Sequence, residues 1–232
     1  HIELAKPVFH PGFIKKTKKI LEMVCHNCSK LKVDDSDPEF RSAVKTRVPK
    51  HRFARVWELC KKKKMCENEP REIVDPDAVG EGRTIVVEHG GCGNACAEVR
   101  QQGLTISLKG GNNADEEGGS KKKKDLIPIS AEQVINVFRR ISDKDMHDMG
   151  LSTDYARPEW MIVTVLAVPP PPVRPSISMD GSGTGMRNED DLTYKLSDII
   201  RANSNVKQAV REGSPAHIQR DLADLLQYHV AT

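Results

Sequence analysis

The chain has 232 residues, a net charge of +3, 38% hydrophobic residues and only 4% aromatic ones. That length supports one large or two small domains, and their core must be mainly aliphatic. No apolar run approaches the roughly 20 residues of a membrane-spanning helix, and no secretory signal precedes the first block.

Charge is uneven along the chain. Residues 1–64 carry 17 Lys/Arg against 7 Asp/Glu, and the remainder 19 against 26. A basic N-terminal part fits a surface near phosphate; a solvated helix face is the plain alternative. Cysteines stand at Cys25, Cys28, Cys60, Cys66, Cys92 and Cys96. In a lysine-rich chain without a signal they favour metal binding or free thiols over disulfides.

His1 to Phe13 reads as an extended start followed by a turn at Pro11-Gly12. A helix runs on to about Met23, with Ile14, Ile20, Leu21 and Val24 on an apolar stripe and Lys15, Lys16, Lys18 and Lys19 on the other faces. Cys25-His26-Asn27-Cys28 is a C-x2-C knuckle, whose short turn can aim both sulfurs at one zinc ion. Zinc then needs a second pair of ligands. Cys66 follows a helical block, and Gly90-Gly91-Cys92-Gly93 is a glycine-bounded turn that presents a sulfur. On spacing alone, Cys96 and His89 are rivals, while Cys60 reads as a buried thiol on a helix.

Pro38–Thr46 and Lys50–Lys63 read as helices separated by Pro49. Phe53, Val56, Trp57 and Leu59 form the buried face of the second, and Lys61 to Lys64 suit its C-terminal dipole. Glu67–Gly82 is acidic, contains Pro70 and Pro76, and reads as a variable loop. Thr84–Val87 and Val99–Leu108 are strand candidates. Gly110–Lys124 is of low complexity and reads as a disordered tip, its lysine run a solvated feature. Ser130 caps a helix over Ala131–Ile141, and a short helix over Asp143–Met149 ends at Gly150. Helices are expected over Asp191–Ala202, Asn205–Glu212 and Ala216–Val230, with a break at Gly213-Ser214-Pro215.

The stretch 157–196 organises the chain. Trp160–Val168 is apolar and β-rich, the pattern of a buried strand. Pro169–Pro175 holds five prolines and favours a stiff polyproline arm. Met179–Asn188 is Gly/Ser-rich and expected to be mobile. Asp190 and Asp191 suit the N-terminus of the next helix. A strand thus launches a stiff arm, the arm carries a loop, and the loop returns to a helix.

Catalytic motifs are missing. There is no phosphate-cradling Walker loop, no H-E-x-x-H and no aspartate cluster for two magnesium ions. Glu189-Asp190-Asp191 is explained as a helix cap.

The blocks RPEWMI, VPPPPVRPSIS and EDDLTYKL, with the opening HIELAKPVFHPGF and the closing LLQYHVAT, are collinear. They closely resemble the largest subunit of eukaryotic RNA polymerase II. The resemblance fades only over about Asp34–Pro49, Glu67–Glu88 and Lys109–Lys124, and the chain reads as a fragment of that subunit. It implies an α+β fold: a mostly helical, zinc-stapled clamp head with a small antiparallel sheet and a projecting Pro-rich loop, the lid. The implied divisions are 1–168 for the clamp head, 169–189 for the arm and lid, and 190–232 for a helical return. The implied ligands of one structural zinc are Cys25, Cys28, Cys66 and Cys92. Arg174 and Arg187 are expected to hold phosphates, Ile177 and Met179 to act as a wedge, and Lys15, Lys16, Lys18 and Lys19 to meet nucleic-acid backbone. With Met rather than an aromatic residue at 179, steric separation is expected rather than stacking.

The resemblance further implies a nuclear, DNA-directed RNA polymerase. Its partners would be the other polymerase II subunits including the second-largest, template DNA, nascent RNA, and initiation and elongation factors at the clamp. No membrane is involved. Magnesium would belong to the whole enzyme, and this chain alone would be inert. Polymerase II rather than I or III rests on PPPPVRPSIS and DDLTYKL. The competing classes are a zinc-stapled adaptor binding acidic or nucleic-acid partners, and a redox protein using Cys25 and Cys28.

Overall fold

A computed structural model describes residues 1–68, 71–74, 84–87, 90–110, 126–179, 181, 183 and 185–232. In chain order the elements begin with β1 (Ile2–Phe9), α1 (Ile14–Met23), α2 (Pro38–Val44), α3 (Pro49–Lys62), β2 (Arg71–Val74) and β3 (Thr84–Val87). They continue with β4 (Glu98–Gln102), β5 (Thr105–Lys109), β6 (Leu126–Ile129), α4 (Ala131–Arg139) and α5 (Asp143–Asp148). The last are β7 (Ile162–Leu166), β8 (Ile177–Ser178), β9 (Arg187–Asn188), α6 (Asp191–Arg211) and α7 (Ala216–Ala231), with short 3-10 turns at Pro158–Met161 and Pro171–Val173. The fold is α+β: helices with small antiparallel sheets. Among the described residues no helix is long and apolar enough to cross a membrane.

The chain forms two compact units. One comprises His1–Pro11 with Ile162–Thr232, the other Gly12–Met161. Compactness therefore divides the chain differently from the linear blocks 1–168, 169–189 and 190–232, because β1 pairs with β7.

In the unit Gly12–Met161, α1 buries Ile14, Thr17, Ile20 and Leu21, at i, i+3, i+6 and i+7, one stripe of an amphipathic helix. It packs on α3, which buries Phe53, Val56 and Cys60. Pro49 opens α3 in the first turn, where its missing N–H costs nothing. A capping box starts α4: the Gln133 N–H donates to Ser130 Oγ, and the Ser130 N–H to Gln133 Oε1. Beyond α5, Gly150 has φ +78°, and an added Cβ would lie 2.5 Å from the Pro49 carbonyl oxygen.

Several expectations are corrected here. Val99–Leu108 is not one strand but the β4–β5 hairpin, turning at Gly103 with φ +57°; the alternation simply continues on both arms. The span Glu67–Gly82 contains β2, paired antiparallel with β3. His89 and Gly111–Lys124 lie outside the described residues.

In the other unit β1 and β7 pair antiparallel, Val8 opposite Val163 and Phe9 opposite Ile162, with an irregularity between Glu3 and Val8 where Pro7 lacks an N–H. Two side-chain amides also bond to β1 backbone groups. Asn203 of α6 accepts from the Ala5 N–H (2.7 Å) and donates to the Glu3 carbonyl (2.9 Å). Gln227 of α7 does the same at Phe9, accepting at 2.6 Å and donating at 2.9 Å. The core beneath holds Val8, Ile199, Ala202, Val206 and Leu226. Truncating a fully buried side chain such as Leu226 to Ala costs about 2–5 kcal/mol.

Trp160–Val168 is not a fully buried strand. Among the described residues β7 pairs only with β1, Val165 is 51% exposed, and Trp160 sits in a 3-10 turn at 57%. The two helices expected over 191–212 are one, α6. Burial of Val206 and Ala209 and the Asn203 contacts override the weak propensity of Asn203-Ser204-Asn205. The helix stops at Gly213 (φ +66°), where the Ser214 N–H donates to the Ala209 carbonyl.

Gly150→Ala should destabilise its unit by about 2 kcal/mol or more, from left-handed strain plus the Pro49 contact. Gly103→Ala, with similar φ and nothing within 4 Å, should cost only about 1 kcal/mol. Denaturant titration of both variants checks this; equal losses would dismiss the Pro49 contact.

Candidate metal centre and the hairpin on the proline arm

The first two sulfurs hang from the end of α1. After Met23 the chain reverses: the Cys25 N–H donates to the Lys30 carbonyl at 2.9 Å and the Ser29 N–H to the Cys25 carbonyl at 2.8 Å. Ser29 takes φ +64° to close this turn, a conformation that non-glycine residues rarely adopt. The other two sulfurs are set by a second pairing of short segments. The Cys66 N–H donates to the Asn94 carbonyl (2.9 Å), the Gly93 N–H to the Cys66 carbonyl (2.8 Å) and the Cys96 N–H to the Lys64 carbonyl (2.7 Å). Gly90 and Gly93, both at positive φ, bracket Cys92.

These turns bring Cys25, Cys28, Cys66 and Cys92 together, each sulfur within 4.8 Å of every other. Cys25 Sγ lies 3.5 Å from Cys92 Sγ, and Cys28 Sγ lies 3.6 Å from Cys66 Sγ. Bonds of about 2.3 Å at tetrahedral angles place zinc-bound sulfurs about 3.8 Å apart. Donor set and spacing therefore fit a structural metal ion such as zinc. Cys25 and Cys66 are buried, Cys28 and Cys92 half-buried.

Electrostatics agree with that use. Burial pushes the Cys28 and Cys66 thiols up, and neighbouring sulfurs push Cys66 further. Burial also works against ionisation of Cys92. Donors from the Asn94 backbone and the Asn27 side chain outweigh it and bring Cys92 down to about 6. A cation among the sulfurs removes the conflict between them. Four protein donors leave no open position, so such an ion would hold structure and not activate water.

The remaining candidates separate. Cys60 is fully buried on α3, and burial raises its thiol to about 12. Cys96 is half-buried beside the cluster but outside the four. His26 is turned away, with Nε2 2.9 Å from the Leu21 carbonyl oxygen, and burial lowers its pKa.

The lysines of α1 are mostly engaged within their own unit. Lys16 Nζ sits 3.1 Å from the Phe53 ring centroid, Lys19 and Lys61 flank the Trp57 ring at 4.4 and 4.7 Å, and Lys18 pairs with Glu22 at 3.4 Å. The Trp57 indole N–H donates to the same Glu22 at 2.7 Å. Burial, with Lys19 alongside, lowers Lys16 to about 8. Lys15 is exposed.

In the other unit the proline arm ends at Arg174. Its Nε donates to the Pro169 carbonyl (2.9 Å) and its Nη1 to Thr193 Oγ1 (3.4 Å), tying the arm to the first turn of α6. That guanidinium is thus engaged internally. β8 and β9 then pair, Ile177 opposite Asn188 and Ser178 opposite Arg187. The Met179 N–H donates to the Met186 carbonyl (3.3 Å), Asn188 Nδ2 reaches Met179 Sδ (2.8 Å), and Ser176 Oγ donates to Glu189 (2.7 Å). Arg187 is exposed, and Ile177, Met179 and Met186 are 67%, 71% and 87% exposed. Met186 was not among the sequence candidates. Its signal was its mirror position to Met179 across a Gly/Ser-rich turn, legible only once the segment is read as a hairpin.

One unit thus gathers four thiols that could hold a structural metal ion, and the other carries a hairpin with Ile177, Met179 and Met186 exposed, on an arm tied by Arg174. The model of the family described as RNA polymerase Rpb1, domain 1, matches residues 1–232. The chain belongs to that family, the N-terminal region of a DNA-directed RNA polymerase largest subunit. The enzyme it serves in transcription is a nucleotidyltransferase, which works with further subunits and nucleic acids.

The cluster geometry predicts one zinc per chain purified without chelator. Cys66→Ser should abolish tight binding and Cys96→Ser should retain it. Metal analysis checks both, and a metal-free parent chain would refute the ligand assignment.

Proposed function

We propose that this chain is the clamp-head and lid portion of the largest subunit of nuclear RNA polymerase II. In this reading it holds the DNA–RNA hybrid in the cleft and parts RNA from template at the hybrid's upstream end. The observation that carries the reading is the exposed apolar hairpin on a proline arm, within a chain matched end to end by the polymerase family. Residues 1–168 act as the clamp head, 169–189 as arm and lid, and 190–232 as the return into the clamp.

Cys25, Cys28, Cys66 and Cys92 hold one zinc in this reading. The zinc staples three segments distant in sequence, so its binding free energy is folding free energy, on the order of 10 kcal/mol in small zinc modules. The magnesium ions of nucleotide addition sit elsewhere in the enzyme.

Strand separation needs a fixed obstacle more than a strong binder. A base-pair step is worth about 1.4 kcal/mol, so an obstacle that yields to thermal motion is quickly passed. Polyproline geometry removes backbone freedom from the arm, and Arg174 ties it to α6. Ile177, Met179 and Met186 offer no hydrogen-bond donors, so their action is independent of sequence. Arg187 supplies a charge for phosphate. Arg174 contributes by fixing the arm, which refines the expectation that it holds phosphate.

Deleting Ser178–Asn188 in the assembled polymerase should leave nucleotide addition intact and lengthen the hybrid. Nuclease mapping of hybrid length checks this; transcripts released with normal hybrid length would refute the lid assignment.

A further inference from the structure

The seven methionines divide sharply by environment. Met23, Met146 and Met149 are fully buried in the unit Gly12–Met161. Met161 is half-buried, and Met65 is 54% exposed. The two most exposed, Met179 and Met186, stand opposite each other on one hairpin, where the Met179 N–H donates to the Met186 carbonyl. A thioether needs no deprotonation before it reacts, so access to its lone pair decides whether an oxidant can use it. The chain thus concentrates its most accessible thioethers at one place, the tip carried by the proline arm.

The two sulfurs are not equivalent. Asn188 Nδ2 donates to Met179 Sδ at 2.8 Å, which sets an N–H on a lone pair that an oxidant must reach. Among the described residues no donor approaches Met186 Sδ.

We infer that Met186 and Met179 form a reversible oxidation site, at which a hydroperoxide makes the apolar tip of the hairpin polar, Met186 reacting first. The sulfur lone pair attacks the outer peroxide oxygen. An S–O bond forms, the O–O bond breaks, and a proton shift leaves the sulfoxide and water. A dithiol reductase reverses the step: the sulfoxide oxygen leaves as water, the thioether returns and the two thiols become a disulfide. The site stands on the hairpin geometry alone; its consequence rests on the lid reading above. A thioether sheds little water on entering between bases, whereas a sulfoxide is a hydrogen-bond acceptor whose hydration must be lost. The oxidised tip is therefore the weaker wedge.

Assembled polymerase containing this chain, free of nucleic acid, provides the test. After brief hydrogen peroxide treatment, peptide mass spectrometry should find Met186 oxidised several-fold faster than Met179, with Met23, Met146 and Met149 protected. Asn188→Ala should bring Met179 up to the rate of Met186. On a template, the oxidised enzyme should carry longer hybrids, and methionine sulfoxide reductase should restore their length. Uniform oxidation of all seven methionines, or a hairpin left unoxidised, would overturn the site. If deleting Ser178–Asn188 lengthens the hybrid and oxidation does not, the consequence for strand separation falls and the lid reading stands. If neither lengthens it while Met186 still reacts first, the lid reading falls and the oxidation site stands.

Discussion

Four thiols held within 4.8 Å of one another cannot all ionise unless a cation sits among them. Burial and mutual repulsion oppose the charge, yet the backbone turns around Cys25–Lys30 and Cys66–Cys92 aim every sulfur inward. Those turns carry their own cost, with Ser29 in the left-handed region. The arrangement makes physical sense as one half of a metal complex. It also explains how the unit Gly12–Met161 joins the end of α1, the segment after α3 and the stretch before β4, since none of these shares a long ladder with another.

A different constraint governs the other unit. Among the described residues β1 has a single strand neighbour, and two strands alone are marginal in water. Asn203 and Gln227 supply what a further strand would otherwise give, each accepting from and donating to β1 backbone. This fixes α6 and α7 against the strand by directional bonds, in addition to the aliphatic packing around Val206 and Leu226. The proline arm leaves from β7 and is tied by Arg174 to the start of α6, so both ends of the β8–β9 hairpin rest on elements of this same unit.

Legibility from sequence followed the range of the interactions. Caps and stops act within a few residues and were readable: Ser130 with Gln133, Asp190 at α6, Gly150 and Gly213 at positive φ. The knuckle Cys25–Cys28 was local too. Its partners Cys66 and Cys92 came from family resemblance, because spacing could not choose among the later cysteines. Contacts made only in three dimensions stayed hidden. Lys16 and Lys19 read as contacts for nucleic-acid backbone, with a solvated face as the alternative, and their ammonium groups lie on aromatic rings of α3. Asn203 fell in the gap between two expected helices, and the strand backbone it binds lies about two hundred residues away. The β7 pattern was apolar enough for a central strand, but nothing local reveals how many neighbours a strand will have.

The unit built from residues 1–11 and 162–232 carries a consequence for the order of events at the ribosome. β1 is made first, while the residues that pair with and cover it, Val163, Asn203 and Gln227, arrive last. At roughly 5–20 residues per second, the apolar strand Ile2–Phe9 waits on the order of ten to forty seconds for its final partner. During that time the whole of 12–161 is synthesised and can begin to fold between the two halves. A nascent strand with its edge groups unpaired for so long is a natural client for chaperones, and release of β1 from such a helper would be timed by the synthesis of α7.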